Sequence, residues 1–346
     1  MKCNLDCGYC PTGVYGGHDN TTRHPPLSEC LDTIALMFKY ASAKMQNKTK
    51  GLKYVILNVY GGESLHHPDI VTILEAVHKQ YQPYQHAWHL TVTTTTNAIV
   101  SAKKLSKIIP LIDEFTVSYH SENTEVQKQQ FKNNLLAIKS SPARLKCIVM
   151  MHGETEKFAD AKKMILWLDQ QNIKYLPKQV DNVSGSDQLN YNQQQVIWFE
   201  DLYKIKLDHA EIKNNKSVLS NTGRACCGGR SLCADQQYKT PQSFVPNSFL
   251  GWYCSVNDFF LHIKQLTREV FVNKDCKMNF EGIRGPIGTL DQPELLLQQA
   301  HNPGVIQCAN NRCYCGLCAP KAKDLDTYKN IMKKYEIPST NLLHQA

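Results

Sequence analysis

Three cysteines stand close together at the start of the sequence: Cys3, Cys7 and Cys10, in the segment Cys-Asn-Leu-Asp-Cys-Gly-Tyr-Cys. Three thiolates at close spacing can hold three irons of a [4Fe–4S] cube and leave the fourth iron open to a substrate. A zinc site is the alternative, in which His18 or His24 would supply the fourth ligand that tetrahedral zinc requires. The spacing therefore predicts a metal centre in this segment.

A Gly-Gly-Glu segment and two single polar residues accompany the strands that follow. Gly61, Gly62 and Glu63 come directly after a predicted buried strand, and open α/β sheets bind ligands at the carboxyl ends of their strands. Glycine allows a ligand to approach the backbone closely. Asn97 follows the next predicted strand, and Ser118 lies in the one after that. These positions favour a ligand-binding edge of a sheet.

Taken together, the cysteines and these residues resemble the signature of the radical S-adenosylmethionine superfamily, over roughly residues 1–180. The resemblance implies that the cysteine triad is catalytic and holds a [4Fe–4S] cluster whose open iron chelates S-adenosylmethionine. One electron from the cluster would cleave this cofactor, and the resulting 5′-deoxyadenosyl radical would abstract hydrogen from an unactivated carbon. The cofactor-binding residues that the resemblance implies are Tyr9, Gly61, Gly62, Glu63, Asn97 and Ser118.

The sequence departs from the usual pattern of that superfamily at several positions. Ser64 stands where proline often follows Gly-Gly-Glu, Ala98 stands where glycine often follows the asparagine, and His120 stands where an acidic residue is common. His120 and His152 both follow strands and would face the mouth of the site, as acid–base groups or substrate contacts. The sequence also begins inside the cysteine loop, so we expect it either to be a fragment or to lack the first strand of the fold.

Nine further cysteines lie between residues 226 and 318. Cys254 and Cys276 flank a hairpin-like segment at 259–272, and a C-x4-C-x-C-x2-C group follows. This layout resembles the auxiliary-cluster domains of radical enzymes, called twitch and SPASM domains. It implies a second iron–sulfur cluster with the ligands Cys254, Cys276, Cys315 and Cys318, while Cys308 and Cys313 are available to a further cluster. A structural zinc knuckle formed by the last four cysteines fits almost as well.

The hydrophobic pattern between these motifs alternates between strand and helix periodicity. Strands are predicted at 54–60, 89–95, 114–119, 145–151 and 174–177, and helices at 27–45, 68–81, 102–109, 126–139, 157–171 and 193–205. The alternation predicts an α/β fold with a parallel sheet and right-handed crossovers. The resemblance specifies a partial (β/α)6 radical SAM barrel with a smaller cysteine-rich C-terminal domain. The predicted boundaries are 1–180 for the barrel, 181–223 for a linker and helix, and 224–346 for the auxiliary-cluster domain.

The composition is that of an ordinary globular protein. Hydrophobic residues make up 42% of the 346 positions and charged residues 20%, and no stretch reaches the roughly 18 apolar residues of a membrane span. Fourteen cysteines without a signal peptide favour metal binding in a reducing cytoplasm over disulfides. The formal charge of +8, without a long run of lysine and arginine, allows an anionic partner but does not indicate nucleic acid.

The pattern as a whole predicts a radical S-adenosylmethionine enzyme that abstracts hydrogen from a substrate. A peptide or protein side chain is the first hypothesis for that substrate, and a small molecule is the second. A reductase or a flavodoxin-type electron donor is the expected partner, and no membrane contact is expected. The hypothesis from a different class is a non-catalytic protein that binds zinc or iron–sulfur at both ends. The iron content of anaerobically purified protein would separate the two classes.

Overall fold

The computed structural model describes residues 3–5, 7, 24–46, 54–180, 191–203, 251–256, 261–271, 286–301, 305–307 and 321–334. These residues separate into two compact units. The first unit contains the described N-terminal cysteines and a five-stranded sheet with its helices. The second contains almost all of helix α1 (Leu27–Gln46) and the described residues from 251 onward. Within the described residues, no helix combines the length and the hydropathy that a membrane crossing requires.

The first unit alternates strands and helices along the chain. Its strands are β1 (Tyr54–Val59), β2 (His89–Thr96), β3 (Glu114–Tyr119), β4 (Arg144–Met151) and β5 (Tyr175–Gln179). Its helices are α2 (Ile70–Tyr81), α3 (Ala102–Ile108), α4 (Glu125–Lys139), α5 (Thr155–Gln170) and α6 (Gln193–Tyr203). Helices α3 and α4 begin after Ser101 and Thr124, because each of these side chains accepts a hydrogen bond from the backbone N–H three residues on.

All five strands are parallel and lie in the order in which they occur in the sequence. Right-handed crossovers that always step in one direction put every connecting helix on the same side of the sheet. A sheet wound in this way curls toward a barrel, whereas a doubly wound sheet reverses its strand order. The predicted α/β fold with a parallel sheet is confirmed, and the ends of the predicted strands and helices lie within two residues of the observed ones.

The two faces of the sheet differ in character. One face packs under the helices and is mostly apolar, as at Leu90, Val92, Phe115 and Val117. The opposite face is rich in hydroxyl and amide side chains, and we call it the polar face. Its members include Asn58, Thr93, Thr95, Thr116 and Ser118. Strand alternation thus separates a packed core from a surface that can make hydrogen bonds.

The second unit consists of short elements besides α1. These are β6 (Tyr253–Cys254), β7 (His262–Lys264), β8 (Glu269–Phe271), β9 (Gly288–Thr289), α7 (Pro293–His301), β10 (Ile306–Gln307), β11 (Lys321–Ala322) and α8 (Leu325–Lys334). Strands β7 and β8 form an antiparallel hairpin, as predicted, and β9 pairs with β8. Strand β6 lies between β10 and β11 in a second small sheet.

One apolar core joins α1 to the hairpin of the second unit. Tyr40 of α1 packs in the same cluster as Val270 of β8. Gln265, in the hairpin turn, adds polar contacts, because its amide nitrogen donates to the Glu29 carbonyl at 3.1 Å and to the Thr33 hydroxyl at 2.8 Å. Helix α1 therefore belongs to the unit of the C-terminal hairpin, and the domain boundaries expected from the sequence stay a prediction.

The turn that follows β2 is held by a buried amide of α4. Ala98 has a φ of 54°, a left-handed conformation that costs an L-residue about 1–2 kcal/mol. Its N–H donates to the Thr96 hydroxyl oxygen at 2.9 Å, and its carbonyl accepts from Asn134 Nδ2 at 2.7 Å. The same nitrogen donates to the Val100 carbonyl, also at 2.7 Å. Asn134 therefore fixes the backbone at both ends of this turn.

Replacing Asn134 by leucine should lower the free energy of unfolding by about 1–3 kcal/mol. The Ala98 carbonyl would lose the amide donor, while Val100 would keep a bond of 2.8 Å from Gln130. Equilibrium unfolding in urea measures the change. The matched control is Asn133→Leu, because Asn133 lies on the exposed side of the same helix, and its effect should stay within about 0.5 kcal/mol. Equal effects of the two variants would contradict the role given to Asn134.

Candidate functional site

Part of the N-terminal cysteine segment lies within the described residues. Cys7 is buried and Cys3 is half-buried. Cys10 and Tyr9 lie outside the described residues, so the predicted triad and its aromatic neighbour stay predictions. Within the part of the chain that the structure describes, no three metal-ligating side chains come together.

Asn4, between the first two cysteines, ties this segment to the end of β2. Asn97 Nδ2 donates to Asn4 Oδ1 at 2.7 Å, and Cys3 Sγ lies 3.9 Å from the same oxygen. Asn97 Oδ1 accepts from the Ile99 N–H at 3.0 Å, so both polar atoms of the Asn97 amide are engaged. The structure therefore brings Asn97, a predicted cofactor-binding residue, next to the cysteine segment.

A second anchor runs from Cys7 to the end of β3. Cys7 Sγ lies 3.6 Å from His120 Nδ1. His120 Nε2 lies 2.9 Å from Ser118 Oγ, and this hydroxyl also donates to the Thr96 carbonyl at 3.4 Å. Ser118, another predicted cofactor-binding residue, is thus linked to Cys7 through the imidazole of His120.

Gly61 and Gly62 turn the chain after β1 and direct Glu63 into the interior. Their φ angles are 105° and 53°, where a side chain would be strained, so this turn requires glycine. Glu63 is 1% exposed. Its Oε1 accepts from the Thr96 hydroxyl at 2.6 Å and from the backbone N–H two residues later at 3.1 Å, and its Oε2 accepts from the Asn97 N–H at 2.7 Å. Glu63 therefore joins the first turn to the end of β2.

The charge state of Glu63 follows from these donors. Burial raises the pKa of its carboxyl above the ordinary value, and the hydrogen bonds that it accepts oppose that rise. A protonated carboxyl would place an O–H among groups that themselves donate, so the geometry favours the carboxylate. A carboxylate has about four acceptor positions, and the three bonds that Glu63 accepts occupy three of them. The contact with a methionyl ammonium that the family resemblance implies stays a prediction.

Two histidines that closely follow Glu63, His66 and His67, hold the same turn. The turn continues as a short 3-10 helix (Ser64–His66). His66 Nε2 donates to the Ile99 carbonyl at 2.7 Å, and His67 Nε2 donates to the Pro25 carbonyl at 2.9 Å. His67 Nδ1 accepts from the Asp69 N–H at 3.0 Å. Both ring nitrogens of His67 are therefore engaged, so this ring shapes the turn.

The electrostatics at the ends of β3 and β4 favour a neutral His120. Burial lowers the pKa of His120 to about 4; Glu122 works against this shift, and His152 adds to it. Glu122 Oε1 lies 3.1 Å from His152 Nε2 and 3.7 Å from Lys157 Nζ. Burial acts to raise the pKa of Glu122, but the hydrogen bond and charge of His152, with Lys157, lower it to about 2. His152, expected from the sequence at the mouth of the site, is 2% exposed and lies against Glu122.

Thr96 and Asn4 are site residues that the sequence analysis missed. Thr96 Oγ1 donates to Glu63 and accepts from the Ala98 N–H. A partial signal existed, because Thr96 is the last of four consecutive threonines and a buried hydroxyl must find partners. Asn4 offers no comparable signal, since its partner Asn97 lies 93 residues away in the chain.

A buried amide beside His120 has unused hydrogen-bonding capacity. Asn123, whose N–H donates to the His120 carbonyl at 3.2 Å, is 4% exposed. Neither its Nδ2 nor its Oδ1 has a hydrogen-bond partner among the described residues. Buried amides are normally satisfied, so the carboxyl end of β3 retains donors and an acceptor for a ligand or for residues beyond those described.

Cys254 is the predicted auxiliary-cluster ligand that the described residues include. It is buried in β6 and pairs with Ile306 of β10 on one side and Lys321 of β11 on the other. The segment between β10 and β11 contains most of the remaining predicted ligands, so it leaves and rejoins the sheet beside the strand of Cys254. The predicted ligands outside the described residues are Cys276, Cys308, Cys313, Cys315 and Cys318.

The fold is similar to that of a solved radical S-adenosylmethionine enzyme. A structure described as native anSMEcpe with bound AdoMet and Kp18Cys peptide aligns with a TM-score of 0.51 and 10% identity, over 96% of this chain and 92% of that chain. Hexahistidine-tagged anSMEcpe with bound AdoMet aligns with a TM-score of 0.48 at the same identity and coverage. The anSME proteins are anaerobic sulfatase-maturating enzymes with a SPASM domain. The predicted partial radical SAM barrel is therefore confirmed as the fold. No protein-family model and no curated protein matches the sequence.

Replacing Glu63 by glutamine should lower the free energy of unfolding by about 1–3 kcal/mol. An amide nitrogen would then face a backbone N–H, either that of Asn97 or that of Leu65. Urea unfolding measures the loss, and Glu75→Gln on the exposed side of α2 is the matched control, with an expected change below about 0.5 kcal/mol. If Glu63→Gln unfolds at the same urea concentration as the control, the carboxylate is not required for the turn.

Proposed function

We propose that this chain is a radical S-adenosylmethionine enzyme that cleaves its cofactor reductively and abstracts hydrogen from a bound substrate. One observation carries the proposal. Cys3 and Cys7, from a segment with the spacing C-x3-C-x2-C, are linked to the carboxyl ends of two adjacent parallel strands, through Asn97 and His120. Ligands of such sheets bind at this edge. The likeness of the fold to anSMEcpe, solved with bound AdoMet, supports the same conclusion.

The residues at this edge fit the chemistry of the two cofactors. Cys3, Cys7 and Cys10 would hold a [4Fe–4S] cluster with one open iron. When bound there, the cluster supplies one electron that cleaves S-adenosylmethionine to methionine and a 5′-deoxyadenosyl radical able to abstract hydrogen. The side-chain amide of Asn123, which has no hydrogen-bond partner among the residues that the structure describes, fits a polar ligand, since a buried amide without partners is costly.

The residues of this chain would prepare the edge in three ways. The bond between Asn4 and Asn97 would hold the cysteine segment against β2 before any ligand binds. The glycine turn would expose backbone carbonyls to the methionyl ammonium, and Glu63 would add acceptor capacity there. The hydroxyls of the polar face would bind a polar substrate, because a hydroxyl can both donate and accept.

We favour a peptide or a protein side chain as the substrate. The structure of anSMEcpe, whose fold this chain shares, contains a peptide. The polar face of the sheet presents hydroxyl and amide groups, which suit the donors and acceptors of a peptide backbone. The formal charge of +8 would also favour the approach of an acidic peptide.

We also propose an auxiliary iron–sulfur site in the C-terminal region, with Cys254, Cys276, Cys315 and Cys318 as its ligands. Support comes from the topology, since β10 and β11 precede and follow the segment of Cys315 and Cys318, and both strands pair with the strand of Cys254. A closed second cluster suits a net oxidation, because it can accept an electron from the substrate. A reductase or a flavodoxin-type protein would deliver electrons, and a reducing cytoplasm would keep the cysteines available to iron.

Changing Cys3, Cys7 and Cys10 together to alanine tests the catalytic cluster. In the anaerobically reconstituted wild type, S-adenosylmethionine should perturb the electron paramagnetic resonance signal of the reduced protein, because the open iron binds it. The triple variant should lose this response and part of its iron, and it should keep the iron of the C-terminal region. The control is Cys147→Ala, since Cys147 is fully buried in β4 and its loss should leave the iron content and the response unchanged.

Two results of this experiment would reject the assignment. A triple variant with full iron content and an intact response would show that the triad holds no cluster. Stoichiometric zinc in place of iron in the wild type would favour a metal-stabilised binding protein.

The substrate class is tested by incubating reconstituted enzyme, a reductant and S-adenosylmethionine with candidate peptides encoded beside the gene. A modified peptide should appear in the mass spectrum with the loss of two hydrogens, together with a matching amount of 5′-deoxyadenosine. The C-terminal cluster variant Cys315→Ala with Cys318→Ala should still cleave the cofactor but yield less oxidised product. If a sugar or nucleoside stimulates 5′-deoxyadenosine formation and no peptide does, the substrate is a small molecule.

A further inference from the structure

The imidazole of His120 lies between a thiol and a hydroxyl. Its Nδ1 is 3.6 Å from Cys7 Sγ, and its Nε2 is 2.9 Å from Ser118 Oγ. His120 directly follows β3, and Ser118 is two residues earlier on the polar face of that strand. The end of β3 therefore fixes which nitrogen faces the sulfur.

The hydrogen-bonding capacity of the two partners determines where the ring hydrogen must lie once Cys7 binds a metal. A metal-bound thiolate has no hydrogen to donate and can only accept. The Ser118 hydroxyl carries one hydrogen, which points to the Thr96 carbonyl over a long distance of 3.4 Å. With a thiolate at Cys7, this hydrogen would instead be donated to His120 Nε2 at 2.9 Å. His120 can face a thiolate favourably if Nδ1 carries the hydrogen and Nε2 accepts from Ser118.

We infer that His120 is a positioning residue whose Nδ1–H donates a hydrogen bond to the Cys7 thiolate, oriented by Ser118, and that this bond raises the reduction potential of the N-terminal cluster. The inference rests on the proposed function, because it requires Cys7 to be a cluster ligand. Hydrogen bonds to cluster sulfurs are one of the factors that set the potential of iron–sulfur centres.

The direction of the effect follows from charge. Reduction adds an electron to a cluster that already carries thiolate ligands, and an N–H donor stabilises the more negative state. Removing the donor should therefore shift the potential to a more negative value. A protein that supplies electrons would then reduce a smaller fraction of the N-terminal cluster.

Three substitutions of His120 distinguish the effect of its hydrogen-bond donor on the reduction potential from the effect of its side-chain shape. In His120→Asn an amide nitrogen can occupy the place of Nδ1 and donate to Cys7. In His120→Gln the amide lies near the place of Nε2 and faces Ser118, and His120→Leu has no donor. We expect the potential of the N-terminal cluster to fall in His120→Leu and His120→Gln and to stay near that of the wild type in His120→Asn.

The measurement is a redox titration of the reconstituted full chain without S-adenosylmethionine, followed by electron paramagnetic resonance. The N-terminal signal is the one that the triple cysteine variant lacks. Ser118→Ala should shift the potential in the same direction by a smaller amount, because the ring keeps its donor but loses its orienting partner. The matched control is His78→Asn. His78 lies on α2 and its Nε2 donates to the Leu111 carbonyl at 3.0 Å, so the loss of this imidazole should leave the potential of the cluster unchanged.

The possible outcomes distinguish this inference from the proposed function. If His120→Leu and His120→Gln hold iron at the potential of the wild type, the inference is wrong and the proposed function stands. If every His120 variant, including His120→Asn, loses the N-terminal metal, His120 is a metal ligand and the inference is equally wrong. If His120→Leu alone fails to assemble its cluster, Ser118→Ala decides whether the inference holds. A potential more negative than that of the wild type supports it, and an unchanged potential contradicts it. A wild type without an N-terminal iron signal rejects the proposed function, and this inference with it.

Discussion

The candidate site depends on how the end of β2 is fixed. Thr96 donates its hydroxyl to Glu63 and accepts from the Ala98 N–H, while the Asn97 N–H binds the second oxygen of Glu63. These bonds do not use the buried side chain of Asn97, whose amide nitrogen donates to Asn4 Oδ1 in the cysteine segment. Burial makes each of these bonds costly to break. The position of Asn4, and of Cys3 beside it, therefore depends on a turn that contains no cysteine.

Local hydrogen bonds hold the backbone at two positions where the sequence departs from the pattern that it resembles. Ala98 stands where glycine is common and still adopts a left-handed conformation, because Thr96 and Asn134 hold its N–H and its carbonyl. Ser64 stands where proline is common, and its hydroxyl lies 3.3 Å from Thr94 Oγ1. At both positions the backbone of this chain is thus held by neighbouring hydroxyl and amide side chains.

The sequence was sufficient for the five parallel strands, the helices up to α6, the hairpin of β7 and β8 and the edge at which the site lies, but not for the other short strands and the helices α7 and α8 of the second unit. The hydrophobic periodicity of strands and helices, and the position of Gly61 and Gly62 after a strand, are properties of residues that are neighbours in the sequence. Both can therefore be recognised before the fold is known. The partners of Glu63 and His120 could not be predicted, because a side-chain hydrogen bond depends on residues tens of positions away. His120 lies 113 residues from Cys7, and nothing in its neighbourhood signals a sulfur contact. The roles predicted for Cys10 and the C-terminal cysteines stay predictions.

The polar face has a further division along its strands. At the amino end of β3 and β4, Glu114 and Arg144 form an ion pair of 3.0 Å between directly paired residues. Four residues later in β3, about 13 Å along the strand, Ser118 marks the carboxyl end, where the neutral ring of His120 lies. The carboxylate of Glu122, two residues after this ring, lies 3.1 Å from His152 Nε2 and 3.7 Å from Lys157 Nζ. If the proposed function holds, the reacting carbon of a substrate would lie at the neutral end, and charged groups of a longer substrate would meet the ion pair at the other.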